Sequence, residues 1–157
     1  MVDEATEQIT AIEDALLQLM QQMEMQRSIC AGRLGLSPPQ ALALRYLEEA
    51  QPMRGLAGHL HCDASYITGI VDGLEAHGLV QRRGDPQDRR VKQLVLTEAG
   101  RVTREQLLSS LAAASPLAHA LSTQERTQLH SFVERCVSTT KSERCPSTPK
   151  VEPLGCG

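Results

Sequence analysis

Large aromatic side chains are almost missing from this chain, which has no tryptophan, one phenylalanine and two tyrosines in 157 residues. That excludes an aromatic core. The interior must be built mainly from Leu, Ala, Val and Ile, a composition that favours packed helices. No stretch approaches the roughly 20 apolar residues of a membrane span, and the opening MVDEATEQ is acidic where a signal peptide is basic. The expectation is a cytoplasmic protein with no membrane contact. The five cysteines, Cys30, Cys62, Cys136, Cys145 and Cys156, form no C-x-x-C pair and no regular framework, so they are read as thiols. Also absent are a G-x-S-x-G elbow, an H-E-x-x-H helix, a phosphate-binding loop and a dinucleotide fingerprint, and no acid pair lies in an apolar setting. An enzyme is therefore not expected, and neither is a cofactor. His59, His61 and Cys62 are the one compact group of metal-ligand types, but near-consecutive positions point in different directions, so no metal site is expected.

What is present is an uneven distribution of charge. The formal net charge is -3, yet a polyanion responds to the field of the face it meets and not to the chain total. Asp3, Glu4, Glu7, Glu13, Asp14 and Glu24 precede the first cation, Arg27. From Leu79 to Arg104, by contrast, seven cations face three acids.

That basic stretch reads as a hairpin. Leu79-Val80 and Val91 to Leu96 suit a half-buried pleated surface, and the segment between them holds the turn residues Gly84, Asp85, Pro86 and Asp88. The spacing predicts a two-stranded ribbon with a long cationic tip carrying Arg82, Arg83, Arg89, Arg90 and Lys92. Just upstream, Met53 to Leu60 forms a short helix, and Asp63 caps a second one over Ala64 to His77, stopped by Gly78. Ile67, Ile70, Val71 and Leu74 take core spacing in that second helix. Ser65, Tyr66, Thr68, Gly69, Asp72 and Gly73 are left on the open side. Small hydroxylic groups at the leading, positive end of a helix suit base edges and phosphates. A helix-turn-helix followed by a basic ribbon is a winged helix.

The flanks are helical. Ile9, Ile12, Leu16, Leu19, Met23 and Cys30 recur at steps of three and four, broken only where Gln26 takes the next seam position, a heptad-like seam widened by Ala15, Leu17 and Met20. A helix packed on its own core is the plain reading. A partner chain is favoured because the helix precedes the domain body and its other face is acidic. Gly32 to Leu36 breaks it, and Ser37-Pro38-Pro39-Gln40 starts a structural helix that runs to about Ala50. Thr97 caps a helix over Glu98 to about Ala114, and Ser115-Pro116 interrupts it. A capping box, Ser122 to Glu125, opens a final helix reaching about Ser138, with Leu129, Phe132, Val133 and Cys136 on one face. The sequence thus implies a mainly α chain with a small β wing. Residues 1–138 form a single domain, in which 1–31 and 98–138 are dimerisation helices and 37–97 the DNA-binding lobe. Residues 139–157, with three prolines and no periodicity, form a disordered tail.

Residues 38–100 resemble the MarR family of bacterial winged-helix transcription regulators. The most specific piece is Asp88-x-Arg90, followed after five residues by Leu96-Thr97 and then Glu98-Ala99-Gly100, similar to the family's D-x-R-x(5)-L-T-x-x-G wing signature. The stretch ASYITGIVDGLEAHGLVQRR is similar to its recognition helix and first wing strand. The resemblance implies a homodimer that reads a pseudo-palindromic operator on double-stranded DNA, as a repressor relieved by a small ligand. It places Ser65, Tyr66, Thr68 and Gly69 of the recognition helix at the major groove. Arg89 and Arg90 reach the minor groove with Asp88 holding Arg90, and Arg82, Arg83 and Lys92 lie on phosphate. The ribbon residues alone would otherwise be an ordinary surface ion pair. The family commonly binds small aromatic or phenolic anions, and Arg27 beside Met20 and Met23 suits a carboxylate among soft apolar groups. An arginine complementing the end of the first helix is the plain alternative. Two rival functions stay open: a winged-helix module that binds protein without binding DNA, and a thiol-based redox-responsive regulator. Against the second, the start of the first helix has no cysteine and Cys30 lies at its far end.

Many relatives carry arginine where this chain has Gly69 and Gly73. Each phosphate contact contributes about 0.9 to the slope of log affinity on log salt, so this recognition helix predicts weak non-specific binding and a shallow slope. A salt titration is expected to show that, and a slope typical of many phosphate contacts per half-site would contradict it.

Overall fold

The computed structural model describes residues 3–60, 62–84 and 91–142. The elements are α1 (Glu4–Arg33), α2 (Pro38–Tyr46), β1 (Gln51–Pro52), α3 (Met53–Leu60), α4 (Ala64–Ala76), β2 (Val80–Gly84), β3 (Lys92–Leu96), α5 (Glu98–Ala114), α6 (Pro116–Ala120) and α7 (Thr123–Ser142). This is a mainly α winged helix-turn-helix, and after Ala118 the chain divides into two compact units.

Local capping explains where most helices start. The carboxylate of Asp3 accepts from Thr6 N at 2.8 Å to open α1, with Glu4 and Glu7 set against the positive end of its dipole. Ser37 and Gln40 form a reciprocal capping box on α2, Asp63 caps α4 and Thr97 caps α5. Ser122 and Glu125 cap one another at the head of α7, where Ser122 N donates to Glu125 at 2.8 Å.

Helix ends depart from the sequence-based expectation. α1 continues through Gly32 and stops at Leu34, because the left-handed residue that reverses the chain is Gly35, at φ 68°. α2 ends at Tyr46 and not near Ala50. Its last carbonyls are taken by side chains from elsewhere, Gln51 Nε2 on Tyr46 O at 2.9 Å and Arg104 Nε on Arg45 O at 3.3 Å. Residues 51–52, expected only to separate two helices, form β1 and pair with β3, so the ribbon is part of a three-stranded antiparallel sheet of order β1-β3-β2. α7 runs to Ser142, which makes Thr139 to Ser142 helical where a tail was expected. Residues 143–157, with Cys145 and Cys156, lie outside the described residues.

The core lies in the first unit. Leu44 and Leu47 from α2 and its cap, Leu56 from α3, Ile67 and Leu74 from α4, Leu94 from β3 and Leu107 from α5 are all fully buried together. α2 is central, packing on α1, α3, α4 and α5. At the root of the wing the chain crosses itself closely. Gly78, at φ 67°, turns α4 into β2. Thr97 N then donates to Leu79 O at 3.0 Å, and the Thr97 hydroxyl donates to Gly78 O at 2.6 Å while accepting from Gly100 N at 3.0 Å. A methyl group at Gly100 would overlap the Leu79 carbonyl oxygen. Gly100→Ala is therefore expected to destabilise the protein by about 1–3 kcal/mol, seen as a lower melting temperature by circular dichroism. An unchanged melting temperature would show that the crossing is not tight.

Candidate nucleic-acid interface

The leading end of α4 is built by one carboxylate. Asp63 Oδ1 accepts from Tyr66 N at 2.9 Å and from the Ser65 hydroxyl at 2.7 Å. The Ser65 hydroxyl first, and the Tyr66 amide second, hold the Asp63 carboxyl below its ordinary range. Ile67, Ile70, Val71 and Leu74 are buried, whereas Ser65, Tyr66, Thr68, Gly69 and Asp72 are exposed, the division that the helical spacing predicts. Tyr66 keeps 53% of its surface. The Ser65 hydroxyl proton is committed to the cap, which leaves its oxygen to accept. Gly73 departs from the expected open face. It is half-buried, and a methyl group there would overlap Gln40 Nε2, the amide end of the residue whose other end caps α2. Gly69 has nothing within 4 Å of where a Cβ would stand.

The cations of the ribbon divide by strand face. Arg82 and Arg83 lie within β2, not in the tip, and Lys92 opens β3 opposite Gly84. Arg83 and Lys92 are exposed. Arg82 is not available in the same way, because its guanidinium meets Glu75 and, at 2.7 Å, Asp72, both on α4. Sequence reasoning assigned it to phosphate and missed these partners. The signal was strand parity, which puts Arg82 on the same side as Val80. Asp88, Arg89 and Arg90 lie outside the described residues.

Beside α2 is a cavity of about 580 Å³ whose walls include Met23 and Arg27 from α1, Arg45 and Tyr46 from α2, and Leu108 and Leu111 from α5. Of the three ligand candidates, Met23 and Arg27 are brought to it. Met20 is not among its lining residues and stays 63% exposed. Arg45 and Tyr46 were missed, since nothing local marks an α2 side chain as facing α1 and α5. Arg27 pairs with Glu24 at 2.5 Å, and the Tyr46 ring stacks on His59 of α3 with centroids 5.3 Å apart. Arg27 and Leu42 also line a smaller cavity of about 190 Å³, shared with Cys62 and with Tyr66 and Ile70 of α4.

Along α1, Ile9, Ile12 and Leu16 are exposed and Leu19 is half-buried. In the second unit Phe132 and Val133 are exposed and Leu129 is half-buried, with Arg135 lying 5.1 Å over the Phe132 ring. Cys30 is buried in the core, Cys62 is half-buried and Cys136 exposed, all as free thiols. Among the described residues no group of three or more His, Cys, Asp or Glu side chains could hold a metal ion. His61 lies outside them. No helix among the described residues is long and apolar enough to cross a membrane.

Comparison with known proteins bears on this geometry. The profile described as MarR family matches residues 36–92, from the end of the α1–α2 turn to the first residue of β3. A crystal structure of a probable transcriptional regulator from Pseudomonas aeruginosa is 33% identical, covers 80% of this chain and 96% of its own, and superposes with a TM-score of 0.65. The chain belongs to the MarR family of transcription regulators. The HTH-type transcriptional regulator YsmB of Bacillus subtilis is 28% identical over 108 residues, which is 67% of this chain and 74% of that protein. CouR from Rhodococcus jostii RHA1, crystallised with p-coumaroyl-CoA, is 28% identical with a TM-score of 0.69, over 78% of this chain and 89% of that one. MarR-family proteins are transcription regulators and not enzymes.

The cap at the head of the MarR-type recognition helix gives a pH-dependent expectation. Because the folded-state pKa of Asp63 is depressed, its contribution to α4 is present above the unfolded value and is lost as pH falls through the folded one. Carboxylate chemical shifts followed by pH titration are expected to show Asp63 titrating below the usual aspartate range, and Ser65→Ala moving it back up. An Asp63 midpoint unaffected by Ser65→Ala would contradict the hydroxyl's role.

Proposed function

We propose that the protein is a cytoplasmic, homodimeric repressor that binds a pseudo-palindromic operator on double-stranded DNA and is released by a small aromatic or phenolic ligand. The observation that carries this reading is the exposed, hydroxylic leading half of α4, followed by strands that carry the exposed cations Arg83 and Lys92 and that flank Arg89 and Arg90 in the sequence. In the proposed complex Ser65, Tyr66, Thr68 and Gly69 meet base edges in the major groove. Arg83 and Lys92 lie on phosphate. Arg89 and Arg90 enter the minor groove, whose negative potential suits a guanidinium, with Asp88 restraining Arg90.

Within this reading residues 37–97 act as the DNA-binding lobe, and the helices of 1–31 and 98–138 form the dimer base. Support comes from the exposed apolar residues Ile9, Ile12 and Leu16 on α1 and Phe132 and Val133 on α7, stripes that a second copy would cover. The cavity beside α2 takes the ligand. Its mixture of apolar wall, Tyr46 and the cations Arg27 and Arg45 suits an aromatic body bearing an anionic group, and the p-coumaroyl-CoA held by CouR supports an aromatic acyl class.

Selection of bound duplexes from a random DNA pool, run in parallel with wild type and Arg90→Ala, tests the reading. Wild type is expected to enrich a two-fold symmetric site. Arg90→Ala is expected to lose about 1–3 kcal/mol of affinity for that site. If neither protein enriches any sequence at low salt, a winged-helix module that binds protein becomes the better account.

A further inference from the structure

β2 is an open edge of the sheet, because the strand order is β1-β3-β2. Antiparallel register sets Val80 opposite Leu96 and Arg82 opposite Leu94. Val80, Leu94 and Leu96 are buried, so alternation turns Arg82 toward the body of the lobe and its neighbour Arg83 outward. What Arg82 meets there is α4. Its Nη2 lies 2.7 Å from Asp72 Oδ1, its Nη1 contacts Glu75 Oε2, and its own backbone N–H donates to Glu75 Oε1 at 2.9 Å. The Glu75 carboxylate therefore holds both the side chain and the main chain of one residue, and it satisfies an edge-strand amide that no neighbouring strand can reach.

The charges make sense only as a set. Asp72 and Glu75 are the two acids of α4, and both stand in its second half, where the negative end of the helix dipole disfavours acids. A helix that approaches phosphate also gains nothing from two bare carboxylates. Arg82 pairs with both, one cation against two acids, so that neither carboxylate is bare; its side chain is 26% exposed against 59% for Asp72 and 30% for Glu75.

We propose that Arg82 is a positioning residue, clamped by Asp72 and Glu75, that fixes the wing to the recognition helix and makes no phosphate contact. Winged-helix recognition uses two probes in two grooves, and specific binding depends on the distance and angle between them. Among the described residues, the turn at Gly78 and this clamp join β2 to the exposed side of α4. Loosening the clamp should cost specific binding, in which both probes must register together, and spare non-specific binding, in which they need not. This inference rests on the DNA-binding reading above for its effect on DNA, while the clamp itself can be read without DNA.

The test uses full-length wild type, Glu75→Gln, Arg82→Gln and the double variant, with folding checked by circular dichroism. Affinity and salt slope are measured on the selected duplex and on a duplex of random sequence, and hydrogen exchange is followed at the β2 amides. Each single variant is expected to bind the selected duplex roughly tenfold more weakly, with the double variant no worse than either single one. Random-duplex affinity and salt slope should stay put, and the β2 amides should exchange faster. A phosphate contact predicts the opposite sign for Glu75→Gln: removing an acid and freeing Arg82 would tighten binding, and Arg82→Gln would lower the slope by about 0.9 per protomer. That pattern overturns the proposal. Should Arg82→Gln fail to fold, Glu75→Gln, which leaves the arginine in place, carries the same opposing signs. If no variant and not even wild type binds any duplex, the DNA reading fails on its own, and the exchange data decide the clamp: unchanged β2 exchange in Glu75→Gln overturns it, and faster exchange upholds it.

Discussion

Two chain segments almost twenty residues apart meet at the root of the wing, where the carbonyls of Gly78 and Leu79 receive the hydroxyl and amide of Thr97 and Gly100 leaves room for the approach. The winged helix-turn-helix depends on this crossing. It ends α4, begins β2, closes β3 and starts α5 within one small volume, so the direction of the recognition helix, the root of the ribbon and the first turn of α5 are set together. Backbone groups that come this close must be paired, since a buried amide or carbonyl left alone is costly. Threonine supplies the cap for α5 and the bond to α4 with a single hydroxyl. The L-T-x-x-G piece of the wing signature thus has a structural cause.

Electrostatics on this face are arranged pair by pair, not by total charge. Arg82 is absorbed by α4, whereas Arg83 and Lys92 face outward. Asp63 is placed where the helix dipole favours an acid and has its proton affinity lowered by Ser65 and Tyr66. Among the described residues, each acid at the head or on the exposed side of α4 is thus either a cap, as Asp63 is, or the partner of a cation, as Asp72 and Glu75 are.

α2 links this lobe to the cavity. Its buried face, Ala41, Ala43 and Leu44, joins the core shared with α4, and the other side, with Arg45 and Tyr46, lines the space against α1 and α5. Tyr46 also stacks on His59 of α3, and its carbonyl takes the Gln51 side chain of β1, the strand that pairs with β3. A residue that shapes the cavity is therefore in contact, by its ring, with the first helix of the helix-turn-helix and, by its backbone carbonyl through β1, with the wing.

The sequence by itself determined where most helices start, which apolar residues of α4 are buried and which segments become the strands of the wing. Ser37 with Gln40, Asp63, Thr97, and Ser122 with Glu125 cap their helices as local spacing predicts, because a cap is an interaction over two or three residues. The split between Ile67, Ile70, Val71 and Leu74 inside and Ser65, Tyr66 and Thr68 outside follows from helical period alone. Only the tertiary structure decided the rest: the β1–β3 pairing of Gln51 with Leu94, the early end of α2 under Gln51 and Arg104, the half-buried Gly73 against Gln40, and the capture of Arg82 by two acids of the preceding helix. Each of these joins groups far apart along the chain. Local propensity carries no term for such a contact, which forms only when core burial has already brought the two segments together.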